Sequence, residues 1–272
     1  MDQHELLTLY DTHLRIELDQ PGVRREVSPR PPAAPRLVRC IKPAPGMNYV
    51  AYSRLEEQEI DRVIDDQIAY FAPLDQPFSW HVCDHDWPPT LKDRLLAHGF
   101  APDDDPDAVM VLDAQSTPDA SPALLGAVAA GQRADVRAIT PDRLEVVAQI
   151  EAQIWGGNFD WLTRRLGEHL AVPDYLNVYV AYVDDQPACA SWVYFHPHSP
   201  FAGLFGGATL PAYRQRGLYT ALLAVRVQAA MRRGYRFLIT GASPMSQPIL
   251  AHNGFRLLTH LYAYEWQGKR EQ

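Results

Sequence analysis

The chain of 272 residues is 47% hydrophobic and 21% charged, the mix of a globular protein able to bury a core, and its length suits two domains or one large one. A net charge of −8 gives no basic footprint to neutralise phosphates, which excludes a nucleic-acid duplex as the natural partner. The start, M-D-Q-H-E-L-L, carries no secretion signal, no apolar run approaches a membrane span, and the three isolated cysteines (Cys40, Cys83, Cys189) imply no disulfide framework, so the expectation is a cytoplasmic protein without a membrane partner.

In chain order, Leu6, Leu7, Tyr10, Leu14 and Leu18 lie on one stripe and predict a helix over 3–18. The Pro-rich stretch 21–35 excludes a helix or a central strand and reads as an extended arm. Two alternating strands follow, then a helix to Phe71 that Ser53 and Glu56 would open as a capping box. A strand over 78–82, a helix over 91–100 with Gly99 as its cap, and a strand over 108–113 complete the first half. Residues 114–134 are small, nearly uncharged and punctuated by Pro and Gly, as in a linker. The pattern then restarts: strand 135–139, helices 141–154 and 159–170, strands 176–183, 187–195 and 201–210, helix 217–233, strand 235–241, helix 246–253 and strand 257–266. The domains read as 1–113 and 135–272, joined by 114–134, and both contain a helix that ends in Gly-Phe.

The stretch P-A-Y-R-Q-R-G-L-Y-T-A-L-L, residues 211–223, joins a strand to an amphipathic helix whose stripe is Leu218, Ala221, Leu222, Val225 and Ala229. Free N–H groups and the helix dipole favour an anion there, Gly217 lets a ligand approach the backbone, and Arg214 and Arg216 add charge-assisted donors. The chemistry is that of a phosphate-bearing ligand; an ordinary turn with two exposed arginines is the plainer reading.

With Arg214, Gly217, Pro211 and Tyr213 in place, this segment resembles the coenzyme-A-binding segment of the GNAT superfamily of N-acyltransferases, and H-N-G-F at 252–255 resembles the segment that closes that domain. The resemblance implies a mixed-sheet α/β GNAT fold over 135–266, in a tandem arrangement with a degenerate N-terminal half; an unrelated α/β cap domain is the other reading of residues 1–113. It implies acetyl-CoA, or another acyl-CoA, as co-substrate in a cleft where strand 201–210 splays from strand 235–241. Thr209 and Leu210 would offer backbone groups to the thioester, and Arg214, Gln215, Arg216, Gly217, Leu218, Tyr219 and Thr220 would surround the pyrophosphate. A primary amine would attack the thioester directly, with a base to take its proton. The acceptor region implied is 150–162, where Trp155, Phe159 and Trp161 offer apolar walls and Glu151 and Asp160 offer carboxylates; a core role for the tryptophans with solvated carboxylates is the alternative.

Two positions depart from the family. Tyr219 is large where the pattern is small and stands where the backbone approaches the pyrophosphate. Leu250 stands where many members carry a tyrosine as general acid, leaving Ser246 one turn earlier as a poor substitute. Hence two functions are weighed: an N-acetyltransferase acting on a small-molecule, peptide or protein amine, and a silent acyl-CoA-binding sensor or partner module. No metal is expected, because His81, Cys83 and His85 lack a fourth ligand at sensible spacing. His196 and His198 read as a solvated turn. In the first half the junction Y-S-R-L-E-E-Q-E-I has no Gly and puts Glu56, Glu57 and Glu59 where phosphates would lie.

Overall fold

The computed structural model describes residues 1–29, 33–42, 46–103, 105–115 and 135–266. The linker expected at 114–134 lies, from residue 116 on, outside the described residues. By contacts the chain forms two units, Met1–Val109 with Leu257–Gln272, and Met110–Arg256.

The first unit opens with α1 (Gln3–Tyr10), which runs into a π-helical turn, Asp11–Ile16, instead of continuing as one helix to 18. Its strands are β1 (Arg24–Ser28), β2 (Leu37–Ile41), β3 (Asn48–Ser53), β4 (Phe78–Cys83) and the short β5 (Phe100–Pro102), with α2 (Ile60–Phe71) and α3 (Leu91–Ala97) between them. Part of the Pro-rich arm is thus an edge strand, β1, whose five residues include no proline. β1, β2 and β3 are antiparallel neighbours, and β3 pairs in parallel with β4 over Asn48–Val50 and Phe78–Trp80. Ser53 ends β3 and accepts a hydrogen bond from buried Trp80 at 3.1 Å, so it does not cap α2. The capping box is formed by Glu56 and Glu59. Ile60, Ile64 and Phe71 of α2 pack with Trp80, Phe78 and Leu95 as the core.

The second unit follows a similar order, with an added first strand and a second full helix. β7 (Asp135–Ala138) precedes α4 (Glu145–Trp155) and α5 (Asp160–Leu170). Then come β8 (Leu176–Val183), β9 (Gln186–Phe195), β10 (Phe201–Thr209), α6 (Leu218–Arg232), β11 (Phe237–Ala242) and α7 (Gln247–His252). β7 to β10 are antiparallel in turn, and β10 pairs in parallel with β11. Val147, Ile150, Leu162 and Leu166 of α4 and α5 pack on Val178, Val180, Ala190 and Trp192 of the sheet.

The contact division differs from the sequence boundaries at the closing strands. β6 (Asp107–Asp113) has its second half in the second unit, where Asp113 forms an ion pair with Arg236 at 2.9 Å. β12 (Arg256–Trp266) lies from Leu257 on in the first unit, paired antiparallel with β4 and β5. The division thus cuts through both β6 and β12. Gly99 and Gly254, the glycines of the two Gly-Phe turns, have φ of +91° and +89°, which L side chains rarely adopt. No helix among the described residues is long and apolar enough to cross a membrane.

Candidate acyl-coenzyme site

β10 and β11 are paired only from Phe201↔Phe237 to Gly203↔Ile239, although both strands run further. Beyond Gly203 the strands part, at the position where the sequence places the cleft. β10 also bulges between Phe205 and Ala208. Two glycines make the bulge possible: a Cβ on Gly206 would lie 1.9 Å from the Trp192 ring, and one on Gly207 2.5 Å from the Tyr219 ring. Past the bulge, the Leu210 N–H donates to Ala188 O at 2.9 Å. Successive N–H groups on a strand point to opposite sides. Leu210 is therefore spent on the sheet, against its expected role, while the Thr209 N–H points to the side from which β11 has diverged. The Thr209 hydroxyl lies 3.0 Å from the Cys189 thiol.

The turn into α6 is open. Gly217 is its N-cap with φ +76°, and no side chain caps the helix. Gln215 also has a positive φ, +61°. Arg214, Gln215, Arg216 and Gly217 are exposed, Leu218 is buried, and Thr220 is half-buried. Arg214 donates to Thr209 O at 3.2 Å, and the Arg216 guanidinium lies 5.5 Å from the Tyr213 ring centre. Free helix N–H groups, two guanidinium groups and a positive helix end thus converge with no carboxylate among them. Tyr219 does not stand over this turn, as the sequence suggested. Its ring is turned inward against Gly207, so the backbone at the helix start stays accessible. A cleft of about 420 Å³, lined by Thr220 of α6 and by Pro248, Ile249, His252 and Asn253 around α7, continues from it.

Of the two carboxylates expected near the acceptor, Glu151 is buried and Asp160 is exposed. Glu151 lies on α4, one of its oxygens has no hydrogen-bond partner among the described residues, and burial pushes its carboxyl up to about 7. The Asp160 carboxylate accepts from the Asn158 amide at 2.8 Å and the Asp160 N–H donates back to Asn158. Gly156 and Gly157, both with positive φ, end α4 and turn the chain here. Trp155 is 70% and Trp161 38% exposed, while Phe159 is half-buried and stacks at 5.8 Å on Trp161. The tryptophans are therefore not core. Ser246 is held by Ser243, with its hydroxyl 3.3 Å from both the hydroxyl and the carbonyl of that residue. Leu250 is a core residue, 1% exposed.

Three features were not legible in the sequence. His196 is buried, not solvated; it stacks on Tyr194, and burial pushes its imidazole down to about 4. Arg226 is buried in the middle of α6, next to half-buried Val225, which the apolar stripe had placed inside. Arg15 is buried in the π-helical turn, where β3 and β4 part. It donates to Ala51 O at 3.0 Å and forms two 2.6 Å bonds to Asp86 and a 2.8 Å bond to Asp11. Those bonds also account for the cluster of Cys83, His85 and Asp86, whose ligand atoms lie within 4.8 Å of one another. Both Asp86 oxygens are on Arg15, His85 lies between Asp11 and Thr259, and burial pushes the Cys83 thiol up to about 12.

Residues 123–244 match the family model described as an acetyltransferase (GNAT) domain. No curated protein matches the chain at the sequence level. Among solved structures, a GCN5-related N-acetyltransferase from Kribbella flavida aligns over 99% of this chain and 95% of its own, at 12% identity and a TM-score of 0.64. A functionally unknown conserved protein from Staphylococcus epidermidis aligns over 95% and 97%, at 12% identity and a TM-score of 0.64. A tandem GNAT protein from the clavulanic acid biosynthesis pathway aligns over 93% and 86%, at 17% identity and a TM-score of 0.62.

Proposed function

From the GNAT acetyltransferase domain that the chain carries, and the GNAT fold that it takes, we propose that the protein is an acetyl-CoA-dependent N-acetyltransferase whose second unit transfers the acetyl group to a primary amine. The observation that carries this reading is the open N-terminus of α6: a left-handed glycine, no side-chain cap, and two exposed arginines beside the divergence of β10 and β11. The pyrophosphate would take the N–H groups from Gln215 to Tyr219, and the pantetheine arm would follow the cleft between Thr220 and α7. The thioester would meet the Thr209 N–H and the bulge.

Glu151 suits the base. A carboxylate near pKa 7 is half-ionised at neutral pH and strong enough to take a proton from an amine losing it during attack. Trp155, Phe159 and Trp161 would flank the acceptor, a small-molecule or peptide amine drawn by the protein's negative balance. Three cysteines, all free and buried, suit a reducing cytoplasm. Buried Leu250 favours the second reading, a silent acyl-CoA-binding module.

Calorimetric titration of acetyl-CoA, with Arg216→Glu as control, tests the coenzyme site. One saturable site per chain, sharply weakened by the charge reversal, is the expected result; a folded protein that binds nothing sinks the reading. Turnover across amine classes then separates the enzyme from the silent binder.

A further inference from the structure

Buried polar atoms are almost always hydrogen-bonded, so an orphan calls for a partner from outside the chain. Glu151 Oε1 on α4, Arg165 Nε on α5 and Trp192 Nε1 on β9 are buried atoms without a partner among the described residues. They belong to the side of the second unit's sheet that α4 and α5 cover: Trp192 packs with Ile150 of α4 and with Leu162 and Leu166 of α5, and Arg165 lies between those two leucines in the helix. The carboxylate oxygen accepts and the other two atoms donate. Arg165 is held with its guanidinium 4.7 Å from the Trp161 ring centre, yet it forms no ion pair among the described residues; Glu168, one turn on, is exposed.

An aromatic wall connects Arg165 with the bulge of β10. Trp161 stacks on Phe159 at the turn between α4 and α5. One turn along α5 from Arg165, His169 Nδ1 lies 2.9 Å from the Tyr194 hydroxyl. The Tyr194 ring in turn lies 5.5 Å from that of Phe205, which is 47% exposed and begins the bulge. The Trp192 ring fills the space beside Gly206 in the same bulge. Exposed rings at Phe205 and Trp161, a desolvated carboxyl and an uncompensated guanidinium thus lie on one side of the strand that would hold the thioester.

We propose that the acceptor is a primary amine that also carries a carboxylate on an apolar or aromatic body, the chemical class of a hydrophobic amino acid, and that Arg165 holds the carboxylate. The inference rests on the N-acetyltransferase reading above and narrows its acceptor. A carboxylate pairs with a guanidinium through two parallel N–H groups, and Arg165 Nε is one such donor left over. The amine would face Glu151, and the body would lie on the rings of Phe205 and Trp161. A zwitterion has no net charge, so the overall charge of −8 neither draws nor repels it, and selection falls to these local groups. An amine without a carboxylate leaves the Arg165 donor unpaired, and a polycationic amine sets a second positive charge against it.

The test follows release of free thiol from acetyl-CoA with phenylalanine, tryptophan and leucine as acceptors, each beside its amide and its decarboxylated amine. The wild type should favour the amino acids in kcat/KM by about 10- to 100-fold, the worth of a hydrogen bond to a charged group, and mainly through KM. Arg165→Met should erase that preference by weakening the amino acids alone, with acetyl-CoA affinity by calorimetry unchanged. Arg165→Gln, which keeps a polar end without the charge, should do the same if the methionine variant does not fold. A wild type that acetylates the amides or amines as well as the amino acids, or a folded variant that loses all three kinds of acceptor alike, overturns the proposal and leaves the N-acetyltransferase reading standing. If acetyl-CoA binds but none of these acceptors is acetylated, titration of N-acetylphenylalanine against N-acetylphenethylamine in the presence of CoA decides. Tighter binding of the carboxylate, lost in Arg165→Met, supports the proposal, and equal binding or none overturns it. A wild type that binds no acetyl-CoA overturns both readings.

Discussion

In each unit a strand that has just parted from its parallel neighbour turns into a helix, and the two turns treat the free backbone N–H groups oppositely. Ahead of α2 the protein supplies its own anions: the Glu59 carboxylate accepts from the Glu56 N–H at 2.8 Å and pairs with Arg36, and the Glu56 side chain accepts from the third residue's N–H. Ahead of α6 there is no side-chain cap, a left-handed glycine, and Arg214 and Arg216 as the charged side chains of the turn. The buried arginines differ in the same sense. Arg15 reaches the backbone just past the β3–β4 divergence with Asp86 and Asp11 to balance it, while Arg226 reaches the β10 bulge with no carboxylate. One unit has closed its electrostatics on itself. The other has left a positive turn and a positive bulge, which an acyl-CoA with its phosphates and nascent thiolate would complete.

The sharpest way to break this comparison is to exchange each arginine for methionine. Arg15→Met strands Asp86, buried, and should cost about 3–5 kcal/mol in chemical denaturation, with acetyl-CoA affinity unchanged in whatever protein remains folded. Arg226→Met removes an uncompensated charge and should cost far less. Equal losses at the two sites would mean that Arg226 is structural in the same way as Arg15.

Glu151 gives the next largest effect, with a sign that can be fixed in advance. Its folded pKa of about 7 lies above the 4.5 of the exposed group, so the native state binds the proton more tightly than the unfolded chain. Stability is therefore fully present below 4.5 and declines as pH rises through 7, by roughly 3 kcal/mol in total. Thermal melts from pH 4 to 8 should show this fall in the wild type and lose it in Glu151→Gln. The same substitution should remove the acid limb of kcat, because the carboxylate is the active form.

Gly217 comes third. Its φ of +76° disfavours an L side chain by about 1–2 kcal/mol, so Gly217→Val should lower stability by that order and weaken acetyl-CoA more than it weakens the fold. A valine tolerated without loss of binding would mean that the turn is not the phosphate site.

How far the sequence carries the comparison depends on whether a signal is local. The glycine, the arginines of 214–216 and the acidic run of 56–59 are contiguous, and their electrostatic contrast reads directly from the chain. Most elements also follow from periodicity. Tertiary contacts decide the rest. Ser53 has a capping residue's chemistry but is claimed by Trp80 across the sheet. Arg226 lies in an otherwise apolar helix, and only the bulge of β10 gives its donors a purpose. Arg15 lies at the end of a Leu-rich helix, where a cation looks solvent-facing until Asp86, 71 residues away, is brought to it. The division of β6 and β12 between the units leaves no mark in sequence. The Leu210 N–H and the Ser246 hydroxyl have partners in Ala188 and Ser243, and bonds already made are invisible in a list of residues.

The smallest effect tests the closed turn. Glu59→Ala removes the carboxylate from the Glu56 N–H and from Arg36 and should cost about 1 kcal/mol, as the loss of a helix cap does elsewhere. If self-capping were the only thing keeping coenzyme from the first unit, opening the turn with Glu56→Gly, Glu57→Arg and Glu59→Ala together would create a second site. It should not, because Arg15 still occupies the carbonyl beyond the divergence of β3 and β4. A titration of the triple variant should therefore keep a stoichiometry of one. A second acetyl-CoA per chain would show that the acidic turn alone, and not the buried arginine behind it, separates the two units.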